Sequence, residues 1–217
     1  MVDAVNKATE RIEQDLLKMG NMVEEMMKSA IQALREQNVD LALRVIEQDD
    51  LIDNMQIVLE EEIEQAALVA HSFALDLRRD FAIVKIVNDL ERIGDYATNI
   101  AEVVLELKNE KYLKPLVHIP QLASLALNMV VTVLKAFVRK DADLAEAVCK
   151  KDEEADNIYD AICDELVRLI GKESDPVRAY QASRFLLIAE WLERTADHAT
   201  NIGEETIHMV TGKRVKY

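Results

Sequence analysis

Thirteen residues of this chain occur twice, and that duplication limits the fold more than any other feature. Leu90-Glu91-Arg92-Ile93-Gly94-Asp95-Tyr96-Ala97-Thr98-Asn99-Ile100-Ala101-Glu102 returns 102 residues later as Leu192-Glu193-Arg194-Thr195-Ala196-Asp197-His198-Ala199-Thr200-Asn201-Ile202-Gly203-Glu204. Nine of the thirteen positions are identical, and the retained ones include Glu, Arg, Asp, Thr, Asn and a second Glu. A repeat kept only for packing would hold its apolar positions and let the polar ones drift. Here the polar ones are held, so the repeat speaks to activity as well as to architecture.

A second landmark extends it upstream. Asn38-Val39-Asp40-Leu41-Ala42 aligns with Asp141-Ala142-Asp143-Leu144-Ala145 at an offset of 103, and the match runs on through Val45 with Val148, Asp49 with Asp152 and Asp53 with Asp156. A whole half is therefore duplicated, not one helix. Asn38 and Asp141 are the expected N-caps, each followed by a short acid in the first turn. They separate a first helix over 3–37 from a second over 39–70. His71-Ser72-Phe73 marks a weak break before a third over 75–109. In the second half the matching break is sharper: Gly171 stops one helix, Asp175 caps the next and Pro176 takes its first position. Lys111 to Pro120 forms the linker.

The expected fold is all-α: two tandem three-helix bundles, 1–110 and 121–217 joined by 111–120, six long antiparallel helices in all, related by a pseudo-twofold. Composition agrees, with only five Gly and three Pro in 217 residues and half of the chain apolar. The net charge of −15 disfavours nucleic acid and anionic lipid alike. Cys149 and Cys163 form no framework and suit a reducing cytosol. The charged start of the chain does not read as a signal peptide, and no run reaches about 18 uninterrupted apolar residues, so a soluble protein without membrane insertion is expected.

Helical geometry turns the repeat into a surface. At 100° per residue, with Glu91 at zero, Asp95 falls at about 40°, Asn99 at about 80° and Glu102 at about 20°. Ile86, Ile93, Ala97, Ile100, Val104 and Leu107 lie on the opposite side. In the second copy Glu193, Asp197, Asn201 and Glu204 stand opposite Ile188, Trp191, Thr195, Ala199 and Ile202, with His208 at the stripe's edge. The second helix of each half adds an i,i+4 pair, Asp49 with Asp53 and Asp152 with Asp156. If second and third helices are neighbours, each half gathers four carboxylates: Asp49, Asp53, Glu91 and Asp95, then Asp152, Asp156, Glu193 and Asp197. Such groups repel by about 1 to 4 kcal/mol per pair. Arg92 and Arg194 are too few to compensate and lie about 100° round from the neighbouring Glu.

A solvated acidic face is the bland reading of any single ExxxD. Two of them on paired helices, duplicated with Asn99, Glu102, Asn201 and Glu204 at fixed offsets, point to metal. All-oxygen ligands suit Mg²⁺, Mn²⁺, Ca²⁺ or iron, and zinc less well. A ferritin-like di-iron enzyme would carry Glu-x-x-His pairs aimed into the core; neither stripe has one. The four histidines form no close pair, and no Gly-rich phosphate loop or nucleophile elbow occurs. Met19, Met22, Met26 and Met27 read as core, with a partner-binding face as the minority reading. A metal-dependent hydrolase or a metal-storage bundle remains the alternative.

The paired Leu-Glu-Arg…Asp motifs, the Asp49/Asp53 and Asp152/Asp156 pairs and the segment Asp76-Leu77-Arg78 resemble the signature of the PhoU family of phosphate-signalling proteins, over nearly the whole chain. The resemblance implies two three-helix bundles and multinuclear clusters of iron or zinc held by the eight carboxylates. It implies a non-catalytic negative regulator of phosphate uptake linking a phosphate ABC transporter to a sensor histidine kinase. A cytoplasmic homodimer, peripheral to the membrane through its partners, is the accompanying expectation. Thr195-Ala196 departs from Ile93-Gly94 of the first copy, and the second half keeps no good counterpart of Asp76-Leu77-Arg78.

Overall fold

The computed structural model describes residues 2–69 and 74–217, and every regular element among them is a helix. In order they are α1 (Val2–Glu36), α2 (Val39–Glu47), α3 (Asp49–Val69), α4 (Ala74–Glu106), α5 (His118–Arg139), α6 (Ala142–Cys149), α7 (Asp152–Ile170) and α8 (Pro176–Thr211). The expected break at His71-Ser72-Phe73 lies outside the described residues. Asp76-Leu77-Arg78 falls within the first turns of α4.

The capping expectations hold atom by atom. Asn38 Oδ1 accepts from Leu41 N at 3.0 Å, Asp141 Oδ1 from Leu144 N at 2.9 Å, and Asp175 Oδ1 from Val177 N at 2.9 Å with Pro176 leading the helix. The residue ahead of each repeated cap is alike too: Gln37 and Lys140 take left-handed backbone, φ 51° and 53°. Asn38 N then reaches Ala33 O, and Asp141 N reaches Ala136 O, closing the preceding helix in the same way in both halves.

The second helix of each half is not continuous. It breaks at Gln48 in one half and at Lys150-Lys151 in the other. Tightened i→i+3 bonds mark both breaks: Gln48 N to Val45 O and Leu51 N to Gln48 O in one, Lys151 N to Val148 O and Glu154 N to Lys151 O in the other. Asp49 becomes the first residue of α3 and Asp152 the first of α7, each at a helix N-terminus whose dipole favours a carboxylate.

α1, α4, α8 and α5 pack in a ring, and α2–α3 and α6–α7 lie against α4 and α8 respectively. The halves share one core: Leu16, Met19, Met27, Ile86, Leu90, Val130, Phe185, Ile188 and Leu192 belong to a single buried apolar cluster. Met19, Met26 and Met27 are buried in it and Met22 packs on it, so the methionines serve the core. α5 is long and apolar enough by composition to cross a membrane, but half of that stretch is buried inside the protein.

α4 and α8, the two repeat helices, run antiparallel along the seam. Lys85 pairs with Glu205, Asp89 with His198, and Glu106 with Arg184 and Tyr180. At the middle, Tyr96 Oη lies 3.3 Å from His198 Nε2, and these two residues occupy the same repeat position. A residue meeting its own counterpart is what a twofold axis at that point requires.

Candidate functional site

The apolar and acidic sides of the repeat helices separate as the geometry predicts. Ile86, Ile93, Ala97, Ile100, Val104 and Leu107 are buried on α4, as are Ile188, Thr195, Ala199 and Ile202 on α8. Glu91, Asp95 and Asn99 are half-buried and Glu102 exposed; Glu193, Asn201 and Glu204 are half-buried and Asp197 exposed.

In the first half the break at Gln48 delivers the start of α3 onto α4. Carboxylate oxygens of Asp49, Asp53 and Asp95 come within 4.8 Å of one another. Thr98 donates to Asp49 Oδ1 at 3.0 Å, and Arg92 Nη1 lies 3.0 Å from Asp95 Oδ2 and Nε 3.6 Å from Glu91 Oε2. Burial, with repulsion from Asp53, Asp95 and Asp50, raises the Asp49 pKa despite Thr98. Glu91 is raised by burial and then by Asp95, with Asp53 and Asp49 adding and Arg92 opposing. The four acids therefore form one electrostatic unit, with three of them already converged.

The second half gathers the counterparts more loosely, and it yields no such converged trio among the described residues. Burial and then Asp197 raise Asp152, with Asp156 and Glu204 adding. The Thr200 hydroxyl faces Asp152 as Thr98 faces Asp49 and eases its charge, yet neither Thr200 Oγ1 nor the buried Asp152 Oδ1 completes a hydrogen bond. Glu193 is pushed up to about 7 by burial and by Asp197, Asp156 and Asp152. Asp197 is raised by loss of solvent and by Asp156, against the pull of His198, Arg194 and Lys216. A cavity of about 360 Å³ opens beside this stripe, lined by Tyr159, Glu190, Glu193, Asp197 and, across the seam, Tyr96.

Of the outer stripe residues, Asn201 turns to Asp89, and Glu204 accepts from Tyr217 N at 2.8 Å. His198 is committed on both nitrogens, with Nδ1 2.8 Å from Asp89 and Nε2 facing Tyr96, so it belongs to the seam and not to the acid set. Cys149 is buried, and burial pushes its thiol up to about 12, which makes it unreactive. Sequence reasoning missed Thr98 and Thr200 as partners of the leading aspartates, although both are kept in the repeat. It missed Asp89 and the segment after α8, which carry no repeated signal.

The chemistry available is that of hard, oxygen-only cation sites. Each half offers four carboxylates whose mutual repulsion and desolvation favour a cation, and in the first half oxygens of Asp49, Asp53 and Asp95 already lie within bridging distance.

The same architecture and the same duplication occur in known proteins. Residues 16–104 and 119–206 each match the PhoU domain. The chain is 36% identical over 207 residues to the phosphate-specific transport system accessory protein PhoU homolog of Clostridium acetobutylicum, covering 95% of this chain and 94% of that one. It is 37% identical over 219 residues to PhoU homolog 1 of Thermotoga maritima, covering 100% and 94%. The crystal structure of PhoU from Pseudomonas aeruginosa superposes with a TM-score of 0.91 at 35% identity, over 96% of this chain and 99% of that one. The PhoU regulatory protein from Streptococcus pneumoniae gives 0.90 at 29% identity, over 98% and 100%.

Proposed function

The chain belongs to the PhoU family, of accessory and regulatory character in phosphate transport, and from that premise we propose a cytoplasmic, metal-binding adaptor. It restrains phosphate uptake by linking a phosphate ABC transporter to a sensor histidine kinase, and it works as a homodimer without chemistry of its own. The names borne by its relatives, phosphate-specific transport system accessory proteins, support the transporter side of this reading.

The observation that carries the metal side is the convergence of Asp49, Asp53 and Asp95 oxygens within 4.8 Å. Asp49, Asp53, Glu91 and Asp95 would hold one multinuclear centre and Asp152, Asp156, Glu193 and Asp197 a second. The orphaned Asp152 Oδ1 fits a ligand role in the second half. The all-oxygen donor set favours iron, manganese or magnesium over zinc. Bound metal would supply positive charge that offsets the carboxylates and ties the start of α3 to α4, and the start of α7 to α8. Asn99, Glu102, Asn201 and Glu204 extend each stripe as outer groups.

A complementation experiment tests the role. In a bacterium lacking its own relative, this chain should restore repression of the phosphate-starvation response in phosphate-rich medium, and a chain with both acid sets neutralised should not. Constitutive expression despite well-folded wild-type protein would contradict the adaptor reading.

A further inference from the structure

The two acidic faces are duplicated in sequence but differ in what lies over them. After α8, Gly212 turns the chain through a left-handed backbone, φ 73°, with the Arg78 guanidinium packed beside it. The following residues fold back across the second half. Val215 packs on the small apolar cluster of Ala136, Ala145, Cys149 and Ile207. Arg214 Nη1 comes to 3.8 Å from Glu205, Lys216 Nζ to 3.7 Å from Glu204 Oε2, and Tyr217 N donates to Glu204 Oε1 at 2.8 Å. The Tyr217 phenol lies beside Glu146, adding to the larger effect of Lys150 in holding that carboxyl below its ordinary range.

We propose that residues 213–217 are a strap that holds the Lys216 ammonium at the Glu204 edge of the second acidic face, where its charge opposes the loading of metal. The first face has no such cover among the described residues, where the cation paired with its acids is Arg92, on its own helix. Lys216 is 82% exposed, so its pairing is weak in water, while Val215 and the Tyr217 amide hold the segment in place.

The proposal rests on the metal reading above, and the test separates the two. In an Asp49→Asn, Asp95→Asn background that disables the first face, Mn²⁺ alone is titrated and free Mn²⁺ is followed by electron paramagnetic resonance. Adding Lys216→Gln should tighten binding at the second face about three- to tenfold, from removal of one competing charge near a divalent ion. Lys216→Arg, which keeps the charge, should leave it unchanged. Measurable Mn²⁺ affinity that stays the same with and without the Lys216→Gln change would overturn the strap alone. Absence of Mn²⁺ binding in every variant would overturn the strap together with the metal reading beneath it.

Discussion

Glu193 carries the most displaced carboxyl of the acid sets, at about 7 against an ordinary 4.5. Its folded form holds a proton more tightly than its unfolded form does. The stability this confers is fully present below the unfolded value and is lost as pH rises through the folded one. Between about pH 4.5 and 7 the metal-free protein should therefore become less stable, and the raised Asp49, Glu91, Asp152 and Asp197 act in the same direction. Thermal melts of chelator-treated protein should show the midpoint falling across that window, with Glu193→Gln flattening the profile; an unaltered slope in the variant would contradict the assignment. The eight acids were legible in the sequence because a repeat that retains polar residues is informative without any structure. The Thr98 bond to Asp49 was half-legible, since Thr is repeated but its partner is set by the approach of α3 to α4. The Asp89–His198–Tyr96 chain was not legible, because it is built where two unlike residues share one repeat position across the seam.

Helix boundaries divide in the same manner. Caps at Asn38, Asp141 and Asp175 depend on a side chain and its own next turn, so sequence alone locates them. The breaks at Gln48 and Lys150-Lys151 carry no Gly or Pro, and each comes just before an aspartate that faces a threonine of the repeat helix, Asp49 with Thr98 on α4 and Asp152 with Thr200 on α8. Tertiary packing decides them. Close approach also governs Gly203, where α8 meets α6. An added Cβ there would sit 2.5 Å from Cys149 Sγ and 3.3 Å from Ala145 O. Gly203→Ala should destabilise by about 1–3 kcal/mol through overpacking, lowering the midpoint by about 2–4 °C per kcal/mol in a chain of this size. Adding Cys149→Ala should recover part of that loss in a double-mutant cycle. Strict additivity of the two variants would show that the contact with Cys149 is not the cause. By contrast, an added Cβ at Gly94 meets the Ile52 side chain first, at 3.3 Å, and its counterpart in the second half is already Ala196.

At the scale of the molecule, the two halves are not independent bundles on a string. α4 and α8 share a seam and α1 and α5 close the ring, so one core holds both acidic faces in fixed relation. Each face lies on the side of its repeat helix away from that core, which leaves eight carboxylates of a chain already at −15 without enough basic partners. From that imbalance we propose that the fold holds two duplicated cation sites. Metal content per chain, by elemental analysis of protein purified without chelator, tests it most directly. Glu91→Ala with Asp95→Ala should remove the metal of the first half, Glu193→Ala with Asp197→Ala that of the second, and all four substitutions together nearly everything. Metal content equal to wild type in all three variants, with the helical fold intact by circular dichroism, would contradict it.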